Sequence, residues 1–461
     1  MRARLLIVVA TVVITGCSGN SGHRAAPTVK APVTPPTVTT PASSPPAAFP
    51  DWPTYHGDSA RTGVSRTMPA ARKTLALAAA LKLDGQVYAA PIVVGGRTIV
   101  ATENDSVYAF DSANRQLWRR HLGRPSPAGE RPCGNIDPLG ITGTPVYSGG
   151  MVYVVAEYGG PPRHELVALD VATGKVRWRK GIDLPGVDPK AMQQRGALTV
   201  AGSRVWVPFG GLAGDCGNYK GRLIGVGLDG RGTAISYTVP TAREGGVWTP
   251  PGPSLDLAGH LYISVGNGAS GPGDPYDHSD SVLELDTNAK LLDSFSPTSW
   301  ADDNAHDLDL GSQGPALVGN WIFIAGKSGT AYVLRKGRLG GIGGEVSHAT
   351  LCASFGGTAV LDDVVYVPCT DGVRAVRIDG AGTLHTLWHA SESITGSPVV
   401  GGGRVWTLDT GAGVLHALDP KTGHSLAQLE VGPVTRFATP ALSGPRVLIP
   451  TDAGVSVVST A

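Results

Sequence analysis

The sequence predicts an all-β protein: an eight-bladed β-propeller of four-stranded blades, closed by an N-terminal strand that completes the last blade. Three observations carry this expectation. The chain has 64 Gly and 36 Pro among 461 residues, a composition that breaks long helices and supplies many turns. One three-strand pattern recurs eight times at a period of ~40–55 residues, the spacing of propeller blades. The eighth copy ends at Ala461 without a fourth strand, while a spare apolar stretch, Leu75 to Leu83, precedes the first copy. Hydrophobic residues make up 41%, ample for a core, and the formal net charge is +1. Scattered Lys and Arg at near-neutral charge give no footprint for nucleic acid. A helical bundle and a polytopic membrane protein are set aside on the same grounds.

The N-terminus reads as an address. Arg2 and Arg4 precede a ten-residue apolar run, Leu5 to Ile14, too short to span a bilayer and suited to a signal-peptide core. It ends in Ile14-Thr15-Gly16-Cys17, which resembles the lipobox of bacterial lipoproteins: small residues for the peptidase, then the Cys that receives lipid. Residues 1–16 are thus expected as a lipoprotein signal peptide and Cys17 as the lipidated first residue. Acyl chains contribute ~0.8 kcal/mol per buried CH₂, and two or three of them anchor stably. The expected location is the outer face of the cytoplasmic membrane, or the periplasm and outer membrane where one exists. Residues 17–50 follow as a tether. Eight prolines lie between Ala26 and Pro50, with Lys30 as the one charge, which favours extended chain and buries no core.

The propeller is expected over 51–461, and its strands can be justified in order. Each unit opens with a short apolar strand led by Gly or Pro, as at Pro91, Pro145, Pro253, Pro315, Pro398 and Pro440; copies near Leu198 and Thr358 lack the Pro. A second strand follows a tight turn: Thr98-Ile99-Val100, Val152-Tyr153-Val154 and Val205-Trp206-Val207 are examples. A third alternates apolar residues and often ends in Asp, as in Val107 to Asp111 and Leu166 to Asp170. Pro91 to Pro145 is 54 residues and Pro398 to Pro440 is 42. Each blade buries its faces only by stacking on neighbours, so the ring must close. Leu75 to Leu83 is expected to pair as the outermost strand of blade 8.

Four cysteines remain beyond Cys17, an even number in an exported chain, which favours disulfides. Cys352 precedes, and Cys369 closes, the first hairpin of blade 6, so the two are expected as cross-strand neighbours. Cys133 and Cys216 sit in Gly-rich loops on one ring face and are expected to pair. A metal site is the alternative, but no CxxC or CxxCH occurs, so no attached c-type haem is expected.

The repeat Asp170-x-x-Thr173-Gly174-Lys175-x-x-Trp178 is echoed at Trp118, at Asp419-x-x-Thr422-Gly423 and at Trp388. Together with Trp52-x-x-Tyr55-x-Gly57-Asp58-x-x-Arg61-Thr62-Gly63 it resembles the quinoprotein, or PQQ-binding-like, propeller family. The resemblance implies that each Trp plugs between adjacent blades and each Thr-Gly makes a hairpin turn. It also implies a candidate cofactor site: pyrroloquinoline quinone (PQQ) over a Trp on the ring axis, with Ca²⁺ on a Glu, an Asn and an Asp, the Asp acting as base. Matching segments place Trp248 for stacking, and Glu157, Asn267 and Asp303 as Ca²⁺ ligands, with Asp303 the candidate base among Asp302, Asp303, Asp307 and Asp309. Hard oxygen ligands suit Ca²⁺, which would act as a Lewis acid on the quinone. Against this, the adjacent Cys pair that covers the quinone in that family is missing, and most loops are short.

Other chemistry is set aside. Gly266-Asn267-Gly268-Ala269-Ser270-Gly271 has the spacing of a dinucleotide loop, but Pro272-Gly273 stands where its helix would start. Ala325-Gly326-Lys327-Ser328 lacks the upstream glycine of a phosphate loop. The expected function is a cell-envelope lipoprotein acting as a non-catalytic binding or assembly scaffold for an envelope protein, with no cofactor. It resembles in build the propeller lipoprotein of the outer-membrane β-barrel assembly (Bam) complex. The alternatives are a PQQ- and Ca²⁺-dependent alcohol or sugar dehydrogenase and a cell-wall polysaccharide-binding module.

Overall fold

Eight small antiparallel sheets arise from the eight repeats. Blade 1 is typical, with Ile92–Val94, Arg97–Ala101, Ser106–Phe110 and Gln116–His121 in sheet order. The structure, a computed structural model, describes residues 50–390 and 394–461. The signal peptide, Cys17 and all of the tether but Pro50 therefore lie outside the described residues. Within each blade the first three strands are largely buried while the fourth is solvated, as in Ser106–Phe110 against Gln116–His121. Strands covered on both faces read as continuous apolar runs rather than alternating ones, which is why Val-rich triplets mark them in the sequence. First strands of blades 1 and 8 meet, as do those of blades 5 and 6, 6 and 7, and 7 and 8, so the ring is closed.

Closure at the rim is as expected. Ala76–Lys82 pairs antiparallel with the last strand, Gly454–Ser459, and supplies the fourth strand of blade 8. Three blades carry a fifth, two-residue strand: Val64–Ser65 on blade 7, Met192–Gln193 on blade 3 and Gly341–Ile342 on blade 4. Among the described residues one short α-helix, Trp300–His306, interrupts the connector between blades 4 and 5. The first hairpins without a Pro, in blades 3 and 6, form the same strands as the others.

The Trp and Gly of the repeat meet across blade boundaries. Trp118 of blade 1 donates from Nε1 to the Val171 carbonyl of blade 2 at 3.0 Å, and a Cβ at Gly174 would lie 2.5 Å from its ring. Trp178 stands likewise over Gly230, and Trp388 over Gly423. Both disulfides form with the expected partners: Cys133–Cys216, with Cα atoms 6.2 Å apart, and Cys352–Cys369, at 5.6 Å.

A second closure was not expected. The segment 52–63 crosses from blade to blade near the ring's inner edge. Trp52 bonds Val93 of blade 1, the Pro53 carbonyl accepts from Tyr147 of blade 2, and the Ser59 carbonyl accepts from Leu255 of blade 4. Thr62 and Gly63 accept from Val360 of blade 6 and Val400 of blade 7. Tyr55 Oη lies 3.1 Å from Thr439 Oγ1, at the entry to blade 8. Arg61 is buried and donates to the Leu198 carbonyl, Thr199 Oγ1 and the Pro253 carbonyl, tying in blade 3. Seven of the eight blades are thereby bonded to one short peptide.

Candidate functional site

A cavity of about 300 Å³ opens on the ring face that carries the inter-blade connectors and the turns between second and third strands. Its walls come from around the ring: Tyr88 ahead of blade 1, Gln193 and Arg195 ahead of blade 3, Trp248 ahead of blade 4, Lys327 in blade 5 and Phe437 ahead of blade 8. That spread of contributors places it on the propeller axis. The Cys133–Cys216 bridge ties two loops of its wall, since Asn135 and Leu212 both line it.

Trp248 is seated by glycines. Its backbone neighbour Gly246 accepts from Gly266 N–H at 2.9 Å, and Gly245 donates to the Asn267 carbonyl at 2.8 Å, so the two segments run side by side. A Cβ at Gly210 would stand 2.8 Å from Trp248 Cβ, and one at Gly266 would stand 3.0 Å from Nε1. Only glycine lets the indole approach this closely. The same geometry brings the Asn267 side chain to the cavity wall.

Beside Trp248 stands a buried ion pair. Lys327 Nζ lies 2.8 Å from Asp309 Oδ2, also pairs with Asp307, and sits 5.6 Å from the centroid of the Trp248 ring. Asp309 is fully buried, and its Oδ1 finds no hydrogen-bond donor among the described residues. Burial pushes the Asp309 carboxyl up, with Lys327 as the main opposing influence. Burial also works against the Lys327 charge, but Asp309 and Asp307 outweigh it and hold the ammonium above its ordinary value.

The sequence-derived candidates divide. Trp248 and Asn267 line the cavity. Glu157 does not: it is buried within blade 2, where Oε2 lies 3.1 Å from His164 Nε2, and His164 Nδ1 lies 2.7 Å from Asp183. Burial opposes the His164 charge, yet Glu157 and Asp183 raise it to about 10, so Glu157 faces a standing imidazolium. Asp303 lies on the short helix, accepting from Ser299 Oγ at 2.6 Å, outside the cavity lining. Its neighbour Asp280 is fully buried and held well above the carboxylate range, by burial first and by Asp309 second. Among the described residues no three Asp, Glu, His or Cys side chains converge as a metal cage.

Lys327 does not stand out in the sequence, where its Gly-Lys-Ser setting suggests only a phosphate loop. Nor do Arg195, Arg436 and Phe437. These sit in connectors where no period guides the eye; a charged or aromatic residue in an otherwise Gly/Pro/Thr connector was the available signal.

The family model described as outer membrane protein assembly factor BamB matches residues 76–138, 138–246 and 290–459, well over half of the chain. The chain belongs to this family. Polyvinylalcohol dehydrogenase of Sphingopyxis sp. (strain 113P3) is 25% identical over 249 residues, which is 47% of this chain and 34% of that one. The chain thus spans about a third of the length of that relative. Quinohemoprotein alcohol dehydrogenase from Comamonas testosteroni superposes with a TM-score of 0.70 at 18% identity, covering 89% of this chain and 80% of that chain. BamB from Moraxella catarrhalis gives 0.58, also at 18%, covering 84% of this chain and all of that one. At such identities these structures show the shared propeller fold.

Proposed function

We propose that this protein is a cell-envelope lipoprotein whose PQQ-like propeller works by binding, as a scaffold or capture module, without quinone catalysis. The observation that carries the reading is Lys327, held between Asp307 and Asp309 beside Trp248. Ca²⁺ takes six to eight oxygens and gains affinity from carboxylate charge. The carboxylates on this cavity wall are already engaged, Asp307 with Lys327 and Asp215 with the Tyr219 hydroxyl; the neutral amides of Gln193 and Asn267 also line it, and the buried carboxylate beside Trp248 is paired with the same ammonium. A divalent cation at Asp309 would stand a few ångströms from that ammonium and be repelled by it. Glu157 and Asp303 are engaged elsewhere. The residues therefore do not fit a calcium-bound quinone.

The BamB family assignment supports a protein partner in the envelope, and Ile14-Thr15-Gly16-Cys17 supports lipid anchoring at Cys17. Cys17→Ala should move the protein from the membrane fraction to the soluble one; retention in the membrane would remove the anchor. A second reading, a PQQ- and Ca²⁺-dependent dehydrogenase, is favoured by the unpartnered Asp309 Oδ1 close to Trp248 and by the partial likeness to polyvinylalcohol dehydrogenase. Calorimetric titration of the purified protein with PQQ, with and without Ca²⁺, separates the two. The binding reading expects an isotherm indifferent to Ca²⁺ and no dye-coupled oxidation of alcohols or sugars. Saturable, Ca²⁺-dependent binding that Trp248→Ala abolishes would establish the enzyme instead.

A further inference from the structure

We infer that the axial cavity takes an acidic sugar, with Arg195 and Arg436 receiving its carboxylate; this rests on the binding reading above. The two guanidiniums crowd one ring. Arg195 Cζ lies 4.7 Å from the Phe437 centroid and Arg436 Cζ lies 4.8 Å from it. Arg195 also approaches Tyr88, and Arg436 approaches Phe355 at 5.1 Å. Phe437 holds its place with φ at +71°, a conformation a bulky residue rarely adopts.

Neither arginine has a carboxylate partner within ion-pair distance among the described residues. Arg195 reaches the Arg436 carbonyl at 3.5 Å, and its buried Nε has no acceptor. The acid that acts on Arg195 from further off is Glu103, which burial raises to about 7, so it is only part-charged at neutral pH. Two cations thus share one wall of the cavity with no carboxylate paired to either, an arrangement that an entering carboxylate relieves. The planar guanidinium fork matches a carboxylate in two hydrogen bonds.

The rest of the cavity selects the body of the ligand. Trp248, whose ring centroid lies 6.3 Å from that of Phe437 with planes tilted by 55°, lines the cavity and offers an aromatic surface on which the C–H face of a pyranose packs. The amides of Asn135, Gln193 and Asn267 suit hydroxyls. Asp215 and Asp307 share the same lining. Their charges repel phosphate or a polycarboxylate but accept hydrogen bonds from hydroxyls. One carboxylate on a polyhydroxylated ring, a uronate residue of a glycan, satisfies both demands.

The test titrates the purified protein, followed by tryptophan fluorescence and calorimetry, with methyl galactopyranosiduronate, which carries a single carboxylate, with its methyl ester, and with inorganic phosphate. The acid should bind saturably and weaken with added salt. Esterification should cost about ten-fold or more, the scale of a lost charge-assisted bond. Arg436→Gln, at an exposed position, should lose as much while folding normally, whereas Arg195→Gln is buried more deeply and is not relied upon. Equal binding of acid and ester, an unchanged Arg436→Gln, or displacement of the acid by phosphate at matching concentration would overturn the carboxylate site. So would absence of binding by every probe. Binding of the ester that Trp248→Ala abolishes would keep the capture reading and overturn only the acid preference. Ca²⁺-dependent PQQ binding with substrate oxidation would overturn the capture reading itself.

Discussion

Glu103 shows how one buried carboxyl couples the blade interior to pH. Its Oε2 accepts from Gly140 N–H at 2.8 Å and Thr142 Oγ1 at 3.1 Å, while Oε1 accepts from nothing described. Burial dominates and lifts the folded value to about 7 from 4.5. The folded state therefore holds the proton more tightly than the unfolded chain. Stability from this group is complete below pH 4.5 and is lost as pH rises through about 7, a loss on the order of 3 kcal/mol. Glu103→Gln should flatten that slope: its urea midpoint relative to the parent rises between pH 4.5 and 7.5. Parallel curves for the two proteins would show that Glu103 does not titrate in this window. The Lys327–Asp309 pair supplies a second test. Lys327→Met leaves Asp309 buried and unpaired, which should cost about 3 kcal/mol or more in denaturant unfolding. Adding Asp309→Asn should restore most of it. Trp248 and Asn267 were legible because glycines flank them in a recognisable order. Lys327 was not, because its residues also make an ordinary strand turn, and only the fold brings Asp309 to it.

The Trp wedge is the element-level device that sets blade spacing. Gly174 has φ at +67°, and a Cβ there would stand 2.5 Å from Trp118 Cε3. Gly174→Ala combines a left-handed backbone penalty with overpacking, so a loss of about 3 kcal/mol is expected. Gly403 is the control: its φ is +73°, but nothing lies within 4 Å of an added Cβ. Gly403→Ala should lose only about 1 kcal/mol, the backbone share. Similar drops in thermal midpoint for both would mean that the Trp contact yields without cost. These elements were readable because a strand buried on both faces must be apolar and its turn must carry Gly or Asp. The fifth strands of blades 3, 4 and 7 were not, since two paired residues leave no pattern. The helix Trp300–His306 was missed for a related reason: seven residues make barely two turns, too few for a period to show.

At the scale of the whole molecule the ring is fastened twice, and the two fastenings differ in kind. At the rim, Ala76–Lys82 covers the open edge of the last strand, Gly454–Ser459; its residues are mostly exposed, so it contributes hydrogen bonds more than burial. An uncovered edge would also invite pairing with another chain. This closure could be inferred from a missing fourth strand and a spare apolar one. Near the inner edge, the segment 52–63 bonds carbonyls and amides of six blades and the Thr439 hydroxyl at the entry to the eighth blade, and such polar ties leave no hydrophobic signature. Arg61 is its strongest point: Nε, Nη1 and Nη2 are all engaged, and burial lowers its value to about 10 with no carboxylate in contact. Arg61→Ala removes its bonds to the Leu198, Pro253 and Tyr55 carbonyls, of which the first two keep only a threonine hydroxyl each, and should cost about 3 kcal/mol or more. Arg61→Lys should lose much of the same amount, because one ammonium cannot span bonds that diverge to these carbonyls. A chain beginning at Ala70 keeps the rim strand but lacks the inner peptide, together with Val64–Ser65, the fifth strand of blade 7, and Met68 of the core. Neighbouring blades would then be held by stacking and the rim alone, so its thermal transition should fall and broaden as the blades cease to unfold together. An unchanged, equally sharp transition would mean that the rim strand suffices and that the inner peptide only fills space.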